Sequence, residues 1–205
     1  MRPPALLAIH GGAGPASEHD GADRWAHQAA GLAAALRAGR AVLTGGGDAL
    51  EAVVSAVTVL EDDEEWNAGR GGALTAAGTV EMDAAVADGA GRYGAVATVT
   101  GVRHPVLAAR AVMDDGRHVL LAGPGAEAFA RQAGLTFEAE EWFVTDRRRR
   151  DLTRLRPPVG GSTVGAVARD AAGHLAAATS TGGRTGQLPG RIGRASCRER
   201  VSLTV

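Results

Sequence analysis

Thr163 stands at the head of an apolar run, residues 164–169, directly after a charged, proline-containing stretch. A threonine in that place has a chemical use that an interior threonine lacks. If the Ser162–Thr163 bond is cut, the new α-amine lies beside the residue's own hydroxyl and can serve as its general base. Aliphatic hydroxyls are weak nucleophiles near neutral pH, and an adjacent amine is one remedy. An α-amine pKa of about 7.7–8.0 suits a base working there. One strand further on comes Thr179-Ser180-Thr181-Gly182-Gly183.

The spacing links the two stretches. Asp170-Ala171-Ala172-Gly173-His174 separates two β-compatible runs, with Gly173 where a three-residue hairpin loop needs a left-handed residue. If Asp170 pairs with His174, Val164 faces Ser180 and Thr163 faces Thr181. Such cross-strand neighbours have Cβ atoms about 4.5–5.5 Å apart. A one-residue slip would separate them. Threonines are also ordinary strand residues, so spacing alone leaves the catalytic and the purely structural reading both open.

The elements that must position this hairpin are legible from periodicity and turn signals. Residues 5–9 read as a buried strand running into the loop His10 to Gly14, to which no chemical role is assigned. Residues 23–43 read as a helix. Asp48 is a candidate N-cap, with Glu51 completing a capping box, for a helix over 49–60. The acidic run Glu61-Asp62-Asp63-Glu64-Glu65 follows. Residues 73–76 and 79–82 read as a hairpin around Ala77-Gly78, and 93–99 as a strand. A helix over 105–113 begins at Pro105, a favoured first-turn residue. A strand over 118–122 and a helix over 126–133 come next. Residues 138–150 are charged and helix-compatible. The arginines Arg147 to Arg150 are read as a solvated linker rather than a nucleic-acid patch, because no aromatics interleave them and the chain is not basic. Pro157-Pro158 ends any helix there. Strands with outer helices imply layered packing.

Composition narrows the class. The 205 residues carry 22 basic and 23 acidic side chains, which gives no general electrostatic case for nucleic acid or membrane. No apolar run approaches the roughly 18–20 residues needed to span a bilayer, and no signal peptide is read at the start. The one cysteine, Cys197, excludes an internal disulfide framework and a multi-cysteine zinc site. A reducing, cytoplasmic setting is expected. A Gly-rich nucleotide-binding reading is disfavoured, since neither a phosphate-loop Gly-Lys-Ser/Thr nor a well-placed Gly-x-Gly-x-x-Gly follows the first strand.

A series of motifs then carries a resemblance. They are Ile9-His10-Gly11-Gly12-Ala13-Gly14, Gly47-Asp48-Ala49-Leu50-Glu51-Ala52-Val53, Asn67-Ala68-Gly69-Arg70-Gly71, and Glu81-Met82-Asp83-Ala84 with Asp88-Gly89. Thr163-Val164-Gly165-Ala166-Val167, Thr179-Ser180-Thr181-Gly182-Gly183 and Leu188-Pro189-Gly190-Arg191-Ile192-Gly193 complete it. In this order, over residues 5–193, the chain resembles the isoaspartyl peptidase / plant-type L-asparaginase family of N-terminal nucleophile hydrolases.

The resemblance implies an α+β fold, an αββα sandwich, incomplete at the C-terminus. It implies self-cleavage between Ser162 and Thr163, where relatives commonly have glycine in place of Ser162. It makes Thr163 the nucleophile and Thr181 the residue that orients it. Arg191 would bind the substrate α-carboxylate, a task suited to a planar guanidinium. Gly182 and Gly183 would let backbone approach closely. Asn67 would support the site's hydrogen bonds, although a simple turn cap is an equal reading. No cofactor is needed for the chemistry. The resemblance does imply a structural sodium, held mainly by the carbonyls of Leu60, Glu61, Asp63, Trp66, Ala68 and Arg70; carbonyl oxygens suit a hard cation. The expected substrate is a small molecule, asparagine or an isoaspartyl dipeptide, with no nucleic-acid or membrane partner. The full-length form would be a dimer of processed alpha/beta pairs.

Residues 1–162 correspond to the alpha segment, with a linker over about 138–162, and 163–193 to the start of the beta segment. After Gly193 the match ends in Arg194, where the family has an aspartate for the substrate amine. Residues 194–205 are read as a non-native tail. The family's later Thr-Gly segment, which supplies the oxyanion hole, is not in this sequence, and the loss of even one such donor costs on the order of 100–1,000-fold. The chain as it stands is therefore expected to be inactive. A glycosylasparaginase-like hydrolase and a non-catalytic fragment are the alternatives.

Overall fold

Local turn chemistry makes the hairpin that carries both threonines. In the computed structural model, which describes residues 4–12, 22–154 and 163–192, strands β5 (Val164–Arg169) and β6 (Leu175–Thr181) pair antiparallel. The register sets Val164 against Ser180. Asp170 N donates to His174 O at 3.0 Å, and Gly173 takes φ +93° as the loop requires. The Asp170 carboxylate accepts from the amides of Ala172 and His174, both at 2.9 Å, from His174 Nδ1 at 3.0 Å and from Ala49 N at 3.4 Å. Burial opposes its charge, but these hydrogen bonds prevail and hold its pKa below the usual carboxylate range. The same side chain thus closes the turn and fixes the hairpin to the start of a helix.

That helix, α2 (Ala49–Asp62), begins where Asp48 accepts from Glu51 N at 2.7 Å, as the capping signal predicts. Ala52, Val53, Ala56, Val57 and Leu60 form its fully buried stripe. α1 (Ala22–Thr44) lies against it. Close approach is possible because a Cβ on Gly39 would come within 2.7 Å of Ala52 O.

The sheet has six strands in the order β1-β5-β6-β2-β3-β4, with β1 (Leu6–His10), β2 (Met82–Asp88), β3 (Tyr93–Val99) and β4 (Leu120–Ala122). All pairs are antiparallel except β3–β4. The sequence reading ends a hairpin at residue 82. The structure keeps that turn as one bridge, Leu74 to Val80, and continues the chain as β2 at the centre of the sheet. The strand Met82-Asp-Ala-Ala-Val-Ala-Asp88 is alanine-rich, a composition depleted in strands, so its neighbours on both sides impose the conformation.

One face of the sheet is covered by α1, α2, α3 (Pro105–Asp115) and α4 (Gly123–Gln132). Val86, Val96, Val164 and Ala178 point into this core. The opposite face is built from small residues, Ala85, Ala87, Ala95 and Ala177, with Tyr93 beside them. The described residues thus give the expected α+β class and one helix layer on one sheet. Among them, no helix is long and apolar enough to cross a membrane.

The arginine run departs from the solvated-linker expectation. The helix-compatible stretch around it forms α5 (Glu140–Phe143) and α6 (Asp146–Thr153), the latter capped by Thr145 Oγ1 accepting from Arg148 N at 3.3 Å. Arg147 donates to the carbonyls of Glu64 and Glu65 at 2.6 and 2.7 Å, and Arg148 Nε to that of Gly71. The physical reason is charge pairing at long range. Four carboxylates of the acidic run pair with basic side chains, two of them reaching α1: Asp62 with Arg103 and His104, Asp63 with His27, Glu64 with Arg70, Glu65 with Arg24 and Arg147.

Candidate active site

Thr163 is half-buried and directly precedes β5, so the strand register places it at the open end of the hairpin, next to Thr181. Ser162 and Gly193 lie outside the described residues. Thr181, the last residue of β6, is buried and pairs on its other side with Asp83 of β2. Asp83 is buried as well, and its Oδ1 accepts from Thr98 N at 2.8 Å. That bond lies at the bulge between Met82 and Ala84, where Thr98 takes φ +51°.

Asn67 is the organiser. Its Oδ1 accepts from Ala73 N at 2.7 Å; its Nδ2 donates to Gly183 O at 2.8 Å and, more weakly, to Thr181 Oγ1 at 3.4 Å. Its own carbonyl accepts from Gly182 N at 3.0 Å. Thr181 Oγ1 in turn accepts from Gly183 N at 3.0 Å. One buried amide therefore fixes the Gly72–Ala73 segment and the exit of β6 at once, which goes beyond capping a turn. Asn67→Ala strands at least the Ala73 amide and the Gly183 carbonyl. Each orphaned group costs about 1–3 kcal/mol, so the variant is expected to lose roughly 2–6 kcal/mol, read from urea unfolding midpoints.

Arg191 is joined to the same cluster through a residue that the sequence reading missed. Gln187 Oε1 accepts from Arg184 N at 2.8 Å and from Arg191 Nη1 at 3.2 Å. Gly183, at φ +79°, leaves no room between itself and the Gln187 amide, which a Cβ there would overlap. Gln187 is buried, and its backbone carbonyl accepts from Ala76 N at 2.8 Å. A glutamine between two glycine turns carries no local signal of that role. The structure thus links Thr181, Gly182, Gly183, Asn67 and Arg191, and sets Thr163 beside them by register.

Below this cluster lies an ionisable group that sequence reading gave no side-chain role. Glu61 is fully buried at the end of α2, with Oε1 accepting from Val106 N at 3.0 Å. Neither its Oε2 nor the Ser180 hydroxyl has a hydrogen bond of ordinary length and angle among the described residues. Loss of hydration outweighs the influence of Ser180 and Val106 and pushes its carboxyl up to about 8. The folded chain therefore holds a proton that the unfolded chain releases near pH 4.5. The stability this provides is complete below that pH and is lost as pH rises through about 8. Melting temperature is expected to fall between pH 5 and 8, and Glu61→Gln to flatten that fall; melts across the pH series decide it.

In the loop from Leu60 to Arg70, backbone carbonyls lie tight against two glycines. A Cβ on Gly69 would overlap the Glu61 carbonyl, and one on Gly71 the Trp66 carbonyl. The loop is thus a turn crowded by backbone oxygens. Among the described residues, no cluster of three or more His, Cys, Asp or Glu side chains could hold a metal.

A family model described as Asparaginase matches residues 3–198. The chain is 43% identical to the isoaspartyl peptidase of Salmonella typhimurium, over 92% of this chain and 66% of that protein. It is 40% identical to the isoaspartyl peptidase/L-asparaginase of Xenopus laevis, over 96% of this chain and 65% of that protein. The human protein of the same name is 39% identical, over 94% of this chain and 65% of its own length. The chain spans just under two thirds of the length of these curated relatives.

Proposed function

We propose, since this chain belongs to the asparaginase family, that its gene product is a self-processing amidohydrolase with Thr163 as nucleophile. The observation that carries this reading is the Val164–Ser180 register. It sets Thr163 at a strand entrance beside Thr181, which Asn67 and Gly183 hold in place.

Processing begins when Thr163 Oγ attacks the Ser162 carbonyl. The C–N bond breaks, the acyl group moves to oxygen, and the freed nitrogen takes the proton. Water then hydrolyses the ester, leaving a carboxylate on Ser162 and a free amine on Thr163. In the mature reaction that amine takes the hydroxyl proton while Oγ attacks the substrate's side-chain amide or isoaspartyl carbonyl. The proton passes to the leaving nitrogen, which departs as ammonia or an amino-acid amine. Water attacks the acyl-enzyme and releases the β-carboxylate. Arg191, steadied by Gln187, would grip the substrate α-carboxylate through paired hydrogen bonds. Thr181 would orient the nucleophile. A sodium ion held by the carbonyls of Leu60, Glu61, Asp63, Trp66, Ala68 and Arg70 would supply rigidity to the loop that contains Asn67.

The names of the relatives support isoaspartyl peptides and L-asparagine as substrates. Intact-mass analysis of the complete gene product, with ammonia release from asparagine and dipeptide cleavage assayed alongside, tests the proposal. Fragments divided before Thr163 and amide hydrolysis are expected. A chain that stays whole after long incubation argues against it.

A further inference from the structure

The arginine run takes no part in the chemistry above, yet two of its members grip the loop that the site depends on. Arg147 spans the carbonyls of Glu64 and Glu65, and its Nη1 reaches Glu65 Oε1 at 3.2 Å. Glu65 Oε1 also accepts from Arg24 Nε and from Gln28 Nε2 at 2.9 Å, so α1 and α6 meet at one carboxylate. Arg148 has a mostly buried side chain that donates to Gly71 O and lies 3.5 Å from Asp151. The gripped carbonyls bracket Asn67: Glu64 and Glu65 precede it, and Gly71 follows it, immediately before Gly72 and the Asn67-bound Ala73.

Such a loop needs external donors. It contains glycines at 69, 71 and 72 and little regular structure beyond one 3-10 turn, Gly69–Gly71. Glycines raise the entropy that ordering must overcome. Hydrogen bonds from a charged donor are stronger than neutral ones. A planar guanidinium reaching two carbonyls fixes their relative position in a way a point charge does not. α6 is also the last described element before the Ser162–Thr163 bond, nine residues after Thr153 in sequence.

We propose that Arg147 and Arg148 are positioning residues. They clamp residues 64–71 in the conformation that presents Asn67 to Thr181 and Gly183, and they tie that loop to the segment leading to the cleavage bond. The catalytic consequence rests on the function proposed above; the clamp itself does not.

Amide hydrogen exchange read by mass spectrometry separates the two. The 205-residue chain is compared with Arg147→Met, Arg148→Met and Arg148→Lys. Peptides covering 63–73 are expected to exchange about tenfold faster or more in each Met variant, as the loss of a charged hydrogen bond implies. The β5–β6 hairpin should be unchanged, and Arg148→Lys should recover much of the protection. Exchange over 63–73 within about twofold of wild type in both Met variants overturns the clamp. If Arg148→Met loosens the whole chain, the same peptides are read in Arg147→Met, whose side chain is the more exposed of the two. Faster exchange there upholds the clamp, and wild-type exchange there overturns it.

In the complete gene product, Arg148→Met should delay release of the Thr163 amine about tenfold, with Arg148→Lys restoring it. A loosened loop with unaltered processing overturns the positioning role. If wild type never cleaves, the functional reading fails, and the exchange comparison still decides the clamp.

Discussion

Thr163→Ala in the complete gene product is expected to remain uncut before residue 163 and to hydrolyse amides at least about 10⁴-fold more slowly than the processed enzyme. Two losses combine. Without Oγ there is no nucleophile for the acyl shift, so the α-amine is never released. Without that amine, no base stands beside the substrate. The groups proposed to orient and bind, Thr181, Asn67 and Arg191, would be unable to form the acyl-enzyme. The substitution should leave the fold intact. Thr163 is half-buried, lies just outside β5, and the register begins at Val164. Melting temperature should therefore stay close to that of wild type, which separates a chemical defect from a folding one. Thr163→Ser keeps both hydroxyl and amine and should retain measurable processing. Undiminished hydrolysis by Thr163→Ala would remove the basis of the proposed function.

The second large effect is steric. Gly182→Ala is expected to cost about 3 kcal/mol or more and to abolish activity. Gly182 leaves the sheet directly after Thr181 and passes against the backbone of the Asn67 loop. A Cβ there would lie 2.5 Å from Gly72 Cα and 2.6 Å from Ala73 N. Both obstacles are backbone, so no side chain can swing aside. Relief requires β6 and the 72–73 segment to part. Parting breaks the Gly182 N to Asn67 O bond at 3.0 Å and draws Gly183 from the Asn67 amide. Gly78→Ala is the matched control. Gly78 takes φ +82° but a Cβ on it would meet nothing within 4 Å. Its substitution should cost only about 1–2 kcal/mol, from backbone strain. Urea unfolding of the two variants, side by side, decides the matter. A Gly182→Ala midpoint no lower than that of Gly78→Ala would show that the two backbones separate without penalty.

By itself the sequence determined whatever is encoded within a few residues. Asp170, Gly173 and His174 set the hairpin register because a tight turn admits few backbone conformations. Asp48 started α2, and Pro105 started α3, because capping and first-turn preferences act within one turn. The ordered motifs identified the family, and through it nominated Thr163, Thr181, Asn67 and Arg191 as candidate site residues.

Only the tertiary structure decided what the charged residues do. In sequence, Arg147 to Arg150 read as a solvated linker, and Glu61 to Glu65 as an acidic run whose side chains had no assigned partners. In the fold, Glu61 loses its water to α3, and Glu65 collects partners from α1 and α6. Those partners lie 37 to 82 residues from Glu65, beyond the reach of any periodicity. The central place of β2 and the role of Gln187 were hidden for the same reason. An alanine-rich segment becomes a strand when strands on both sides supply its hydrogen bonds, and a glutamine becomes a brace when distant backbone closes around it. Burial is a property of the assembled chain, and burial turns a solvated side chain into a structural one.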